Sequence, residues 1–293
     1  MNLRPSIPAP RVSGTTTATD VPLYWAAYGP AGGARGLVLH GGPGADHAYL
    51  LPQMLELARS RELVFYDQRG GGRSRGDGRA PVTWETHVAD LAALSGELGF
   101  TGTTLIGYSW GGLLALLYAA GAARDPGIPA PARLVLIDPA PVTRQFREQF
   151  EAEFARRQAA PAVQAMRDEL AGSGLRERDP EAYRQRAFEL SVAGYFADPR
   201  AARNLTPFRV VGRVQQSVWE SLGDYDLVAD GRLSAIRCPA LVVHGRDDPI
   251  PLASSEACAR AMGAELVTLD QCGHVPYVEQ PAALFAAIER FLA

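Results

Sequence analysis

The segment Gly107-Tyr108-Ser109-Trp110-Gly111 lies between an apolar run of strand length (Thr103 to Ile106) and one of helical character (Gly112 to Ala120). A strand that becomes a helix within so few residues forces Ser109 into a strained backbone conformation, which lifts its hydroxyl clear of the sheet. Gly107 and Gly111 supply side-chain-free space where strand and helix nearly touch. The chain is thereby committed to a sheet with a helix packed tightly on it and a serine hydroxyl at the strand end.

A serine hydroxyl is a weak nucleophile until an imidazole accepts its proton and a carboxylate orients that imidazole. In chains with this elbow the acid and then the base follow the serine, which leaves His244 and His274 of the five histidines. His244 ends the apolar run Ala240 to Val243 and reads as a strand-end packing residue, whereas His274 sits in a loop before the last helix and is taken as the base. For the acid, Asp248 in Gly245-Arg246-Asp247-Asp248-Pro249 is chosen, with Asp247 as its surface alternative.

Developing negative charge on a substrate oxygen requires preorganised N–H donors. The backbone N–H of Trp110, which follows Ser109, is one. His40-Gly41-Gly42-Pro43-Gly44 follows the strand-like Gly36 to Leu39 and is too rich in Gly and Pro for regular structure. Gly42 is the expected second donor, with Gly41 the adjacent option.

The motifs His40-Gly-Gly-Pro-Gly44, Asp67-Gln-Arg-Gly-Gly-Gly-Arg-Ser74, Thr83-Trp84 leading into Val88-Ala89-Asp90-Leu91, and Gly107-Tyr-Ser-Trp-Gly-Gly112 occur in the order and approximate spacing of proline iminopeptidases. The chain resembles that branch of the α/β-hydrolase superfamily over roughly residues 20–140 and 235–293. The resemblance implies an α/β-hydrolase fold, a Ser109, Asp248 and His274 triad, and an oxyanion hole from Gly42 and Trp110. Asp67 to Ser74 would form a structural turn beside the site.

Two departures bear on substrate. Proline iminopeptidases carry Gly before the nucleophile, where this chain has Tyr108, and they hold the substrate's free amine with acids in a Trp-x-x-Trp-Glu type cap segment. The nearest stretch here, Ala187 to Ala193, matches it poorly. Glu189 and Glu220 are the expected amine-binding acids, each with a solvated helix position as the alternative.

Residues 1–140 and 234–293 read as the core domain, because strand-like runs (Val21 to Tyr28, Gly36 to Leu39, Leu63 to Tyr66, Thr103 to Ile106, Leu134 to Ile137, Ala240 to Val243, Glu265 to Leu269) alternate with helical patterns such as Thr83 to Leu98 and Pro281 to Leu292. That alternation predicts an α/β fold with a mostly parallel sheet and helices on both faces. Residues 141–233 break it and read as a helical cap domain, in which Phe146, Phe150 and Phe154 recur every fourth residue. The stripe packs on core or cap helices, or lines a pocket with Tyr195, Phe196, Phe208 and Trp219.

All 29 basic residues are Arg, which excludes lysine Schiff-base chemistry, a PLP anchor and a Walker lysine. The formal net charge of -3 offers no argument for nucleic acid or an anionic membrane. Cys238, Cys258 and Cys272 show neither disulfide nor zinc spacing and fit a reducing cytoplasm, with Cys272 read as a small buried hydrophobe. No run approaches the roughly 20 apolar residues of a membrane span, and the Pro-rich first ten residues should be loosely ordered. The expected protein is a cytoplasmic hydrolase of small molecules or short peptides that needs no metal or organic cofactor. It acts on N-terminal residues of peptides or amides, or as a carboxylesterase on a non-peptide substrate. A non-catalytic binding protein on the same fold is the alternative of another class.

Overall fold

A computed structural model of the chain describes residues 7–100 and 102–293. The expectation for the Pro-rich N-terminus falls largely on residues 1–6, outside the described residues. The strands are β1 (Val12–Thr15), β2 (Tyr24–Tyr28), β3 (Ala34–Leu39), β4 (Arg61–Tyr66), β5 (Thr104–Tyr108), β6 (Arg133–Ile137), β7 (Ala240–Gly245) and β8 (Glu265–Leu269). The longer helices are α1 (Trp84–Glu97), α2 (Trp110–Ala122), α3 (Arg144–Gln158), α4 (Pro161–Gly172), α6 (Pro180–Val192), α7 (Gly212–Leu222), α9 (Leu252–Met262) and α11 (Pro281–Leu292). Single turns α5 (Leu175–Arg178), α8 (Arg232–Ala235) and α10 (Pro276–Glu279) lie between them.

The strands form one sheet in the order β1-β2-β4-β3-β5-β6-β7-β8. Pairing is antiparallel for β1 with β2 and β2 with β4, and parallel from β4 through β8. The central strands are buried on both faces, which is why they read as unbroken apolar runs. Alternate residues feed opposite layers: Leu37, Leu39, Leu105 and Leu136 pack with α1, α2 and α9, while Val38, Ile106, Val135 and Ile137 pack on the α10 and α11 side. Every expected strand is present within a few residues. The additional strand is β1, whose Val-Ser-Gly-Thr sequence is largely exposed and carries no apolar signal; its pairing with β2 defines it.

Thr83 caps α1 as expected, its side chain accepting from the Thr86 N–H while the Thr86 hydroxyl accepts from the Thr83 N–H. α3 to α8 fall between β6 and β7. Parallel pairing puts the C-terminal ends of β3, β5, β6, β7 and β8 on one edge of the sheet, where ligand sites of open α/β sheets form. The loops leaving that edge carry Gly41 and Gly42, Ser109, Asp138, Asp248 and His274.

One group in the core conflicts with acid. His87, on the buried side of α1 and edge-on to Trp110 at 5.9 Å, has no hydrogen-bond partner at either ring nitrogen among the described residues. Burial lowers its pKa from 6.5 to about 3. Its neutral form is therefore fully compatible with the fold above pH 6.5. As pH falls the unfolded chain binds a proton that the fold excludes, and stability declines by about 1.4 kcal/mol per unit. His87→Phe should gain on wild type by that increment as pH drops from 6.5 toward 4. Urea unfolding at pH 7 and pH 5 checks this; an offset independent of pH would refute it.

Candidate active site

Ser109 sits between β5 and α2 with φ 54° and ψ -120°, the strained conformation that the elbow demands. Its N–H donates to Ile137 C=O at 3.0 Å, and its own carbonyl accepts from Gly112, Leu113 and Ala140, so the turn is clamped to β6. His274 Nε2 lies 3.0 Å from Ser109 Oγ, and His274 Nδ1 lies 2.8 Å from Asp248 Oδ2. The second Asp248 oxygen accepts from Ile250 N–H at 2.7 Å. With Nδ1–H directed at the carboxylate, Nε2 is left to accept the serine proton. Burial lowers the His274 pKa to about 4 and so favours the neutral imidazole. Burial also raises Asp248 to about 7, opposed by its hydrogen bonds.

Of the two downstream histidines only His274 reaches the serine. His244 is buried with Nε2 3.1 Å from Ile250 C=O and Nδ1 3.0 Å from Ser255 Oγ. Asp247 is exposed. Cys272 is buried, its thiol pushed well above the ordinary range, which makes it a poor nucleophile.

Among the described residues no acceptor takes the N–H of Gly42 or Trp110, and both residues line the cavity beside Ser109. Gly41 behaves differently from the expectation: its N–H donates to Tyr49 Oη at 2.7 Å and is not free for substrate. Tyr49 left no sequence signal beyond its position five residues after Gly44. Gln68, in the expected structural turn, accepts from the Trp110 indole at 2.9 Å and donates to His40 C=O at 2.8 Å, tying the glycine loop to the elbow. Asp67 holds the other side of that turn through His47 and the Arg73 N–H.

The cavity above Ser109 has a volume of about 900 Å³, within the usual size range for small-molecule sites. Tyr108 forms part of its wall, and its hydroxyl donates to His274 C=O at 2.9 Å, so the ring replacing a glycine also braces the histidine loop. Tyr195 stacks on the His274 ring at 5.1 Å, and its carbonyl accepts the His274 N–H at 2.7 Å. Glu279 adds a third support, accepting from Gly273 and from Ala197 of the inserted segment. The phenylalanine stripe of α3 divides: Phe146 packs on the core, Phe150 lines the cavity, and Phe154 stacks against Tyr195. Phe196 is buried in the core, not in the cavity wall.

Glu189 is a correction. It is buried outside the cavity lining, and its two oxygens accept from Gln185 and Arg186, both at 2.9 Å, so it is unavailable to a substrate amine. Glu220 does line the cavity and, among the described residues, has only the Gln216 amide as a partner. The other lining acids, Glu148 and Glu151, are paired with Arg144 and Arg147. Asp138, Asp248 and His274 form the one compact grouping of potential metal ligands among the described residues, but the Asp248 and His274 atoms are committed to each other and to Ser109. No helix among the described residues is long and apolar enough to cross a membrane.

A mostly parallel sheet carrying a strained serine after β5, an aspartate after β7 and a histidine after β8 is the architecture of the α/β hydrolases. The model of the alpha/beta hydrolase family matches residues 37–288, and the chain belongs to that family. Within it the chain is proline iminopeptidase-like: it is 30% identical to a proline iminopeptidase of Levilactobacillus brevis over 278 residues, 88% of this chain and 87% of the relative. The crystal structure of a Mycobacterium smegmatis proline iminopeptidase superposes with a TM-score of 0.69 at 21% identity, covering 96% of this chain and 97% of that one. A thermophilic esterase from Thermogutta terrifontis superposes with a TM-score of 0.62 at 27% identity, covering 97% and 98%.

Proposed function

We propose that the protein is a serine hydrolase that releases N-terminal residues, proline among them, from small peptides or amides. The observation that carries the reading is the continuous chain Ser109 Oγ, His274 Nε2, His274 Nδ1, Asp248 Oδ2 at 3.0 Å and 2.8 Å, with Ser109 and His274 lining the cavity. His274 takes the serine proton as Oγ attacks the substrate carbonyl, Asp248 holds the imidazole, and the amides of Gly42 and Trp110 receive the charge on oxygen. Collapse expels the amine, protonated by His274, and leaves an acyl-enzyme. Water activated by the same histidine then releases the acid, so the residues present suffice without a cofactor. Residues 141–233 act as the cap that roofs the site, and Glu220, the lining carboxylate without an arginine, receives the substrate's free amine. The likeness to proline iminopeptidases supports this choice of substrate.

A second reading, a carboxylesterase of a small non-peptide substrate, is favoured by the aromatic wall of Tyr108, Phe150, Phe208 and Trp219 and by the arginine pairing of Glu148 and Glu151. The experiment compares L-prolyl-p-nitroanilide, its N-blocked form and p-nitrophenyl acetate. The aminopeptidase reading expects cleavage of the free prolyl anilide and a loss of ~10-fold or more on blocking the amine, since blocking removes the charged partner of Glu220, an exposed carboxylate on the cavity wall. Ester turnover with no anilide cleavage would transfer the assignment to the esterase, and silence on all three would leave a ligand-binding protein.

A further inference from the structure

The end of β6 carries a second acid that the proposed mechanism does not use. Asp138 is fully buried, has a left-handed φ of 40°, and accepts from Gly245 N–H through Oδ1 at 2.8 Å. Its Oδ2 is buried, and among the described residues no donor satisfies it. Ligand atoms of Asp138, Asp248 and His274 lie within 4.8 Å of one another, so two carboxyl groups share one dry pocket behind the imidazole.

The surrounding charges do not neutralise a second carboxylate. His274 is committed to Asp248. His244 Nδ1 approaches Asp138 Oδ1 at 3.6 Å, but with Nε2–H given to Ile250 C=O that nitrogen is an acceptor for the Ser255 hydroxyl. Arg157 binds the Asp247 carbonyl on the outer side, and Glu279 beneath the histidine loop is a further acid. Tyr108, Tyr277 and Cys272 face the pair as neutral groups, because burial raises all three. Two like charges this close and this dry do not both ionise.

Resting on the triad reading above, we propose that Asp138 is a carboxylic acid in the working enzyme, its Oδ2–H donating to the Asp248 carboxylate, and that it positions the acid of the triad. The arrangement removes the orphaned oxygen by making it the donor. One negative charge then stands behind His274, shared across two carboxyls. The extra hydrogen bond fixes the orientation of Asp248 and lowers its affinity for the Nδ1 proton, which stays on the imidazole as Ser109 is deprotonated. Burial and the neighbouring Asp248 charge both raise Asp138. Among the described residues Asp248 receives two donors, Ile250 N–H and His274 Nδ1–H, where Asp138 receives only Gly245 N–H, so the proton is assigned to Asp138. As a member of a pair that acts through Asp248, Asp138 is a positioning residue.

An asparagine reproduces this pattern: its oxygen accepts from Gly245, its N–H donates to Asp248, it is uncharged, and it tolerates the left-handed backbone. Asp138→Asn should therefore keep kcat/KM within about threefold and leave the acid limb of its pH profile in place, whereas Asp138→Ala should lose ~10-fold or more in kcat with KM little changed. An ionised Asp138 predicts the opposite. Its replacement by Asn would remove a negative charge beside His274 and move the acid limb down by about one to three units, and that shift would overturn the proposal. Infrared spectroscopy of the resting protein at neutral pH supplies a second readout: a protonated-carboxyl C=O band present in wild type, absent in Asp138→Asn and displaced in Asp248→Asn. Absence of that band from wild type, or its survival in Asp138→Asn, would also overturn it. Turnover by Ser109→Ala would instead break the triad reading and leave the infrared result standing.

Discussion

Ser109→Ala should lower kcat/KM by ~10⁴-fold or more on any substrate that wild type hydrolyses, with the folded protein intact. The hydroxyl is the only group removed, and among the described residues its one side-chain partner is His274 Nε2. The clamps that hold the elbow run through the backbone, from Ser109 N–H to Ile137 and from Gly112, Leu113 and Ala140 to the Ser109 carbonyl, and alanine keeps all of them. Titration with an active-site fluorophosphonate and thermal melts of both proteins separate the outcomes. A variant that turns over at near-native rate would eliminate Ser109 as nucleophile, whereas one that melts far below wild type would report on the fold and not on the chemistry.

Gly111→Ala should be the most damaging single methyl group in the motif. A Cβ there would lie 2.0 Å from Leu39 C=O oxygen and 2.5 Å from its carbon, and both belong to the backbone of β3. No rotamer relieves such a clash. Helix α2 would have to move off the sheet, with Trp110, Leu113 and Leu114 losing their packing. The expected cost is roughly 4 kcal/mol or more, a large fraction of a domain's stability. Gly96→Ala serves as the control. It lies within α1 with no atom inside 4 Å of an added Cβ, so the same substitution should stabilise by roughly 0.5–1 kcal/mol. Urea unfolding of both variants decides, and equal small effects would mean that strand and helix are further apart at the elbow.

These two effects share a cause. The backbone that strains Ser109 is held by the close approach of α2 to β3, so rigidity at Ser109 and tight packing of helix on sheet are one feature. The histidine loop is held from several directions by Tyr108, Tyr195 and Glu279, two of them contacting the inserted segment or belonging to it. Movement of the segment around Tyr195 would therefore disturb His274 itself.

The legible part of the site was local. Gly107 and Gly111 announce the elbow because only glycine fits where two backbones nearly touch, and the central strands announce themselves because burial on both faces demands unbroken apolar runs. Asp138 left a weak signal, a charged residue closing the apolar run Leu134 to Ile137, which strand-end surface exposure would explain equally well. Gln68 showed only as part of the Asp67 to Ser74 motif, and Tyr49 and Glu279 left no signal, because their hydrogen bonds to backbone groups depend on how the loops fold. Glu189 reads as a binding acid because it lies in the stretch nearest to the family's acidic cap segment, and Arg186, one turn away, claims it. The choice between His244 and His274 followed from position in the chain, but the hydrogen bonds that separate them are made by Ile250, Ser255, Asp248 and Ser109.

By itself the sequence determined the alternating α/β order, the strained serine between strand and helix, and the set of acids and histidines available to it, since each rests on steric or burial demands at neighbouring positions. Tertiary structure alone decided which amide stays free, which glutamate faces the cavity and that two aspartates share a pocket. Those outcomes turn on competition among side chains brought together by loops from different strands, and such competition imprints no period or spacing on the chain.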